Sequence, residues 1–185
     1  MNELVIGAMA GCAATAPMTW AMEVMHRNLP HHERHPLPPW EIVERVAEKA
    51  VGQEPVGETE HFWLTLVAHF AYGAAAGSVF GPVAQRLALP RVLGGTAYGL
   101  VVWAGSYFGL LPALGIMRPA TQHPMRRTAL MIAAHLVWGS ALGIFVELLE
   151  NAGGLPSLGS RPQHRGGGDG EYPRRARVSD EAGTP

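Results

Sequence analysis

The sequence predicts an all-α polytopic membrane protein: four transmembrane helices built as two similar hairpins, with one short amphipathic helix on the surface. Three observations predict it. Four apolar stretches, at 4–25, 62–84, 92–114 and 129–149, each have about the 20 residues that a helix needs to cross a bilayer core of about 30 Å. Within them charge is nearly absent, and Gly, Ala, Ser and Thr stand where a soluble amphipathic helix would carry Glu and Lys. Finally, HFAYGAAAG at 69–77 recurs as HLVWGSALG at 135–143, each time inside an apolar stretch. At 185 residues one domain is expected, here 1–150, followed by a tail at 151–185. A net charge of −1 and the lack of a basic stripe interleaved with aromatics argue against a nucleic-acid partner.

The first span carries GCAATAPMTWAMEVMHR. Gly7, Gly11, Thr15, Thr19, Glu23 and Arg27 follow one another at i,i+4, grading from small to polar to charged. Pro17 removes a backbone hydrogen bond and frees a carbonyl one turn earlier, which must be satisfied by Thr, water or a neighbouring helix. Interrupted helices with polar neighbours are where transporters place their sites, which makes Thr15, Thr19 and Glu23 candidates for a polar interior. A cleaved signal is disfavoured, because no basic residue precedes the span and Pro17 follows Ala14-Thr15-Ala16. The apolar lead-in to Met9-Ala10-Gly11-Cys12 is short for a lipoprotein signal, so Cys12 is expected to be a small buried residue.

The connection from Arg27 to His61 opens with LPHHERHPLPP, whose prolines favour an extended path. His31, His32 and His35 are a candidate divalent-metal set there. The plainer reading is a solvated histidine-rich loop. Pro38-Pro39 then lead into WEIVERVAEKAVG, and the spacing predicts a helix over 39–51. Trp40, Val43, Val46, Ala47 and Ala50 take one face. Glu41, Glu44, Arg45, Glu48 and Lys49 take the other, with Glu41 and Arg45 spaced to pair. This polar face is more acidic than basic, which favours docking onto the bundle or a partner over attraction to anionic lipid.

The short link QRLALPR makes the second and third spans antiparallel neighbours, and GIMRPATQHPMRR joins the third to the fourth. His69, Gly73 and Gly77 step by four, as do His135, Gly139 and Gly143, so each histidine lies above a groove of glycines. The first and third spans add Gly7-x-x-x-Gly11, Gly95-x-x-x-Gly99 and Gly105-x-x-x-Gly109. Lipid supplies no hydrophobic drive between helices, so such grooves permit close van der Waals contact. A duplicated hairpin is the simplest account. The tail, dense in Gly, Pro and charge and without apolar periodicity, is expected to be disordered.

The stretches GAMAGCAATAPMTWAM, LPHHERHPLPP and HFAYGAAAGSVFG resemble the YagU-like family of small bacterial inner-membrane proteins. They cover the first half of the chain, the second half agrees through its pattern, and the long tail departs from it. The resemblance implies a multi-pass helical bundle in the bacterial cytoplasmic (inner) membrane, with a link to acid tolerance in one member. It defines no catalytic residues, so none carry over.

Four spans would bring His26, His31, His32, His35, His61, His69, His123 and His135 to one side of the membrane or its adjoining half-bilayer. Histidine changes charge between about pH 5 and 8, and ionisable groups inside a bilayer are costly and often functional. The expected role is therefore pH or stress homeostasis, or proton- or ion-linked transport, with His69, His135, Thr15, Thr19 and Glu23 lining a polar interior. A plainer reading has His69 and His135 only hydrogen-bonding a neighbouring helix. In a haem- or metal-binding module they would ligate one b-type haem, the glycines making room for the porphyrin. A non-catalytic scaffold would instead bind a membrane-protein partner or a second copy. Trp20, Trp63, Trp103, Trp138, Tyr72 and Tyr98 read as interface anchors and packing residues. No nucleophile–base constellation, phosphate loop or pair of catalytic carboxylates stands in the sequence, so neither an enzyme nor a resident cofactor is expected.

Overall fold

The computed structural model describes residues 2–30, 38–51, 57–122 and 124–152. The candidate metal set His31, His32 and His35, together with His123 and nearly all of the tail, lies outside them. The described residues contain helices and turns but no strand. Helices α1 (Glu3–Arg27), α2 (Pro38–Val51) and α3 (Glu58–Arg86) are followed by α4 (Arg91–Ala104). A π-helical stretch, Gly105–Leu110, leads into the short α5 (Leu111–Ala113); a 3₁₀ turn at Ala120–Gln122 then precedes α6 (Met125–Ala152).

Among the described residues three helices, α1, α3 and α6, are long and apolar enough to cross a membrane. The expected third span, 92–114, is divided among α4, the π-helical stretch and α5. Local chemistry explains the division. Pro112 has no N–H to donate and so cannot continue the ordinary ladder. Leu111 N–H reaches back five residues to Ser106 O, the π register. Gly115 at φ 62° then stops the helix. Its N–H donates to Pro112 O and Ile116 N–H to Leu111 O, both at 2.9 Å, which is the Schellman arrangement.

The expected interruption at Pro17 does not occur: α1 runs through Pro17, as α3 does through Pro82. The flanking hydroxyls turn back onto their own helix. Thr15 Oγ1 donates to Gly11 O at 2.9 Å and Thr19 Oγ1 to Thr15 O at 2.7 Å. Both hydroxyls are thereby satisfied within α1.

Many large apolar side chains point outward, and glycine and alanine line the closest helix contacts. Leu4, Val5 and Met9 on α1, Phe62, Val67 and Val79 on α3, and Ile144 and Leu148 on α6 are all exposed. Inside, Ala10, Ala14, Ala134 and Leu142 are fully buried. This arrangement leaves an apolar exterior, and it lets backbones approach closely. A Cβ at Gly7 would collide with Gly77 O, and one at Gly11 with Gly73 O. A Cβ at Gly77 would lie 2.7 Å from Gly11 Cα. On the other side, a Cβ at Gly95 would collide with Gly139 O, one at Gly99 with His135 O, and one at Gly143 with Arg91 O. Helix α1 therefore runs antiparallel to α3, and α4 antiparallel to α6. Gly105 and Gly109 behave differently: nothing described lies within 4 Å of a Cβ at either, so that Gly-x-x-x-Gly pair packs no helix.

Helix α6 joins the two halves. Trp138, 3% exposed, donates from Nε1 to Gly11 O of α1 at 3.2 Å. Tyr98 Oη donates to Ala76 O at 2.8 Å, and the Thr96 and Ser140 hydroxyls meet at 2.8 Å. These aromatics therefore bridge helices, whereas Trp20 and Trp63 are exposed on the outer surface. Cys12 is half-buried, not fully buried.

The amphipathic helix α2 starts one residue earlier than expected. Its first turns pack inward: Pro38 is buried, and Trp40, Ile42 and Val43 are half-buried, while Val46 on the expected apolar face is exposed. Glu41 pairs not with Arg45 but with Arg127 of α6, Nη2 to Oε2 at 2.6 Å.

Candidate functional site

Helices α1, α2, α3, α5 and α6 and the π-helical stretch enclose a cavity of about 310 Å³. Most of its wall is aliphatic: Met18 and Met22 of α1, Ile42 and Val43 of α2, Leu110, Leu111 and Leu114, and Met131 of α6. Its polar groups are His69, Tyr72, Ser106, Tyr107, His135 and Thr65. Both histidines of the repeated sequence thus line one cavity.

The geometry of these groups fixes their hydrogen-bonding roles. His135 Nδ1 lies 2.8 Å from Met131 O. A carbonyl only accepts, so Nδ1 carries the proton and neutral His135 keeps a lone pair on Nε2. Tyr107 stands edge-on to this imidazole, with ring centroids 6.3 Å apart. Tyr72 Oη and Ser106 Oγ are 2.7 Å apart, a bond between α3 and the π-helical stretch. Since each hydroxyl has one proton and two lone pairs, the pair has a further donor to offer. Among the described residues no hydrogen bond reaches His69, whose ring contacts Phe70.

The other expected interior residues lie elsewhere. Thr15 is buried against Gly73, and Thr19 bonds within α1; neither lines the cavity. Glu23 pairs with Arg27 at 2.7 Å, its side chain 46% exposed. From α1 the cavity receives Met18 and Met22 instead. The groove glycines Gly73, Gly77, Gly139 and Gly143 are filled by the backbones of α1 and α4, so they do not open a slot for a porphyrin between α3 and α6. No group of three or more potential metal ligands occurs among the described residues.

Tyr72, Ser106 and Tyr107 were not legible as site residues. Tyr72 reads as an interface anchor, and Ser106 and Tyr107 sit in what reads as a regular packing helix. The π register turns both inward, to 8% and 7% exposure; such bulges occur frequently at functional sites. The signal was Gly105 and Gly109 close before Pro112, a flexible stretch ahead of a missing donor.

Helix α2 roofs the cavity through Pro38, Pro39, Ile42 and Val43. The Glu41–Arg127 pair is partly buried, its side chains 27% and 18% exposed, and is expected to contribute about 1 kcal/mol. Glu41→Gln should therefore leave the bundle's melting midpoint nearly unchanged while hastening amide hydrogen exchange in α2. Unaltered exchange across α2 would mean that apolar contacts alone hold the roof.

A second buried polar cluster lies at the opposite end. Glu150 of α6, 2% exposed, accepts from Gln85 Nε2 and from Arg91 Nε, the latter at 3.1 Å. Arg91 also donates to Ala84 O, and to Gln85 Oε1 at 3.2 Å. All its partners are thus within the cluster, and it ties together the ends of α3, α4 and α6.

Fold and site together define an apolar helical bundle of membrane-protein character that encloses a histidine-lined cavity. A family model described as "Protein of unknown function (DUF1440)" matches residues 15–144, and the chain belongs to that family. No curated protein and no solved structure matches it.

Proposed function

We propose that the chain is a multi-pass protein of a bacterial inner membrane and moves protons or another ion in pH or stress homeostasis. The observation that carries this reading is the pair His69 and His135 lining one mostly apolar cavity. Imidazole titrates near neutral pH, and its desolvation inside a bilayer bundle is costly enough to imply use. The resemblance to the YagU-like family and its link with acid tolerance support the same process.

In this reading the chain crosses the membrane four times as two similar hairpins. The helical pieces from Arg91 to Ala113 follow one another directly and support a fourth crossing. The matching approaches of Gly11 to Gly73 O and Gly95 to Gly139 O support duplication. The role is non-enzymatic, with lipid as the surrounding partner. Thr15 and Thr19 serve α1's own carbonyls, which leaves His69 and His135 as the proton-carrying groups.

Proton flux into liposomes under an imposed pH gradient tests this. Wild-type protein is expected to exceed empty liposomes, and His69→Gln/His135→Gln to return flux to that baseline with its helical circular dichroism intact. Wild-type flux at baseline, or undiminished flux in the double variant, would refute transport. A ligand-binding module is the second reading. The Nδ1–H to Met131 O bond is the arrangement by which metal-ligating histidines present Nε2. Stoichiometric metal in protein purified from its own host would favour it.

A further inference from the structure

Three features of the cavity, taken together, specify a ligand. The first is its polar complement. His135 Nε2 is an acceptor in the neutral ring, and the Tyr72–Ser106 pair and Tyr107 have hydroxyls. Among the described residues no Asp or Glu lines the wall, and the nearby Glu41 is engaged by Arg127. Such a set fits a head group that both donates a proton and accepts hydrogen bonds, and no described residue of the wall repels negative charge.

The second is the character of the remaining wall. Three methionines and three leucines make up half of its apolar residues, and methionine in particular adapts to irregular shapes such as a bending chain. The third is its opening. Ala68, Leu110 and Leu114 line the cavity and are exposed on the apolar outer surface. A ligand thus reaches it from the bilayer side. Its volume of about 310 Å³ is at the small end of the usual range for small-molecule sites, about 300–1,000 Å³.

We infer that the cavity binds a single-chain carboxylic acid, with its carboxyl group between His135 and the Tyr72–Ser106 hydroxyls and its alkyl chain along Met18, Met22 and Leu110. The acid's O–H donates to His135 Nε2, and its carbonyl oxygen accepts from a hydroxyl of the pair. Transfer of that proton to Nε2 leaves a carboxylate beside an imidazolium, a charge-assisted bond with no change in total charge. No covalent bond forms. The inference rests on the proposed function insofar as the same imidazoles serve both.

Equilibrium binding of radiolabelled decanoate to the full chain in lipid nanodiscs tests it, with decanol as the chain-matched competitor and empty nanodiscs as the background. Saturable binding at one site per chain is expected, with decanol competing at least about tenfold more weakly because it lacks the second polar oxygen. Ala68→Trp, which narrows the opening without removing a polar group, should abolish saturable binding. His135→Gln should retain binding but lose most of the preference for acid over alcohol. Binding no greater than in empty nanodiscs, equal competition by decanol, or insensitivity to Ala68→Trp would each overturn the assignment. Histidine-dependent proton flux without decanoate binding would sink the ligand and leave transport standing. Saturable, acid-selective binding without flux would do the reverse.

Discussion

Replacing Gly77 by valine is expected to force α1 away from α3 and to destabilise the bundle by about 3 kcal/mol, the upper end of the usual range for overpacking. A Cβ at this position would collide with Gly7 O and stand 2.7 Å from Gly11 Cα. Both obstacles are backbone, so no rotamer change relieves them, and the whole helix must move. The movement would also stretch the Trp138 Nε1 to Gly11 O bond, the tie between α1 and α6. Thermal unfolding in mild detergent, followed by near-ultraviolet circular dichroism of the tryptophans, measures the effect. Gly105→Ala is the matched control. Nothing described lies within 4 Å of its new methyl, and alanine is the better helix former by about 1 kcal/mol. A Gly77→Val protein melting with wild type would contradict the backbone contact between α1 and α3.

The second large effect is expected at the Gln85–Arg91–Glu150 cluster. Glu150→Leu alone removes the carboxylate facing a 9%-exposed Arg91 side chain, and breaking a buried pair in this way costs about 3–5 kcal/mol. Arg91→Met alone should cost a similar amount. The double variant Arg91→Met/Glu150→Leu is expected to recover most of the loss, because a well-packed apolar pair often matches a buried ion pair. A double-mutant cycle on the melting free energies reads the coupling. Additive losses would mean that the two groups do not depend on each other, contrary to the 3.1 Å contact.

Much of the helical layout was legible because it depends on one-dimensional properties. Apolar length marked α1, α3 and α6, and Pro38-Pro39 followed by a two-faced pattern marked α2 to within a residue. The i,i+4 glycines other than Gly105 and Gly109 lie where backbones approach closely. Other readings failed where an outcome depends on what lies opposite. The polar stripe of Thr15, Thr19 and Glu23 looked like the lining of an interior. In the structure Thr15 and Thr19 bond their own helix, and Glu23 meets Arg27 on the surface. Glu41 had a partner in sequence at Arg45 but found one on another helix.

What the sequence determined by itself is therefore the all-helical class, the three long apolar helices and most of the places where backbones touch, but not the division of the expected span at 92–114. Composition and periodicity set those properties residue by residue. Only the tertiary structure decided that His69 and His135 share one cavity, that a π turn delivers Ser106 and Tyr107 to it, and that Glu150 lies against Arg91. The physical reason is that these groups meet across helices. Their pairing depends on helix rotation and register to within a fraction of a turn. That register is set by the summed fit of glycines against opposing backbone, which no single stretch of sequence contains.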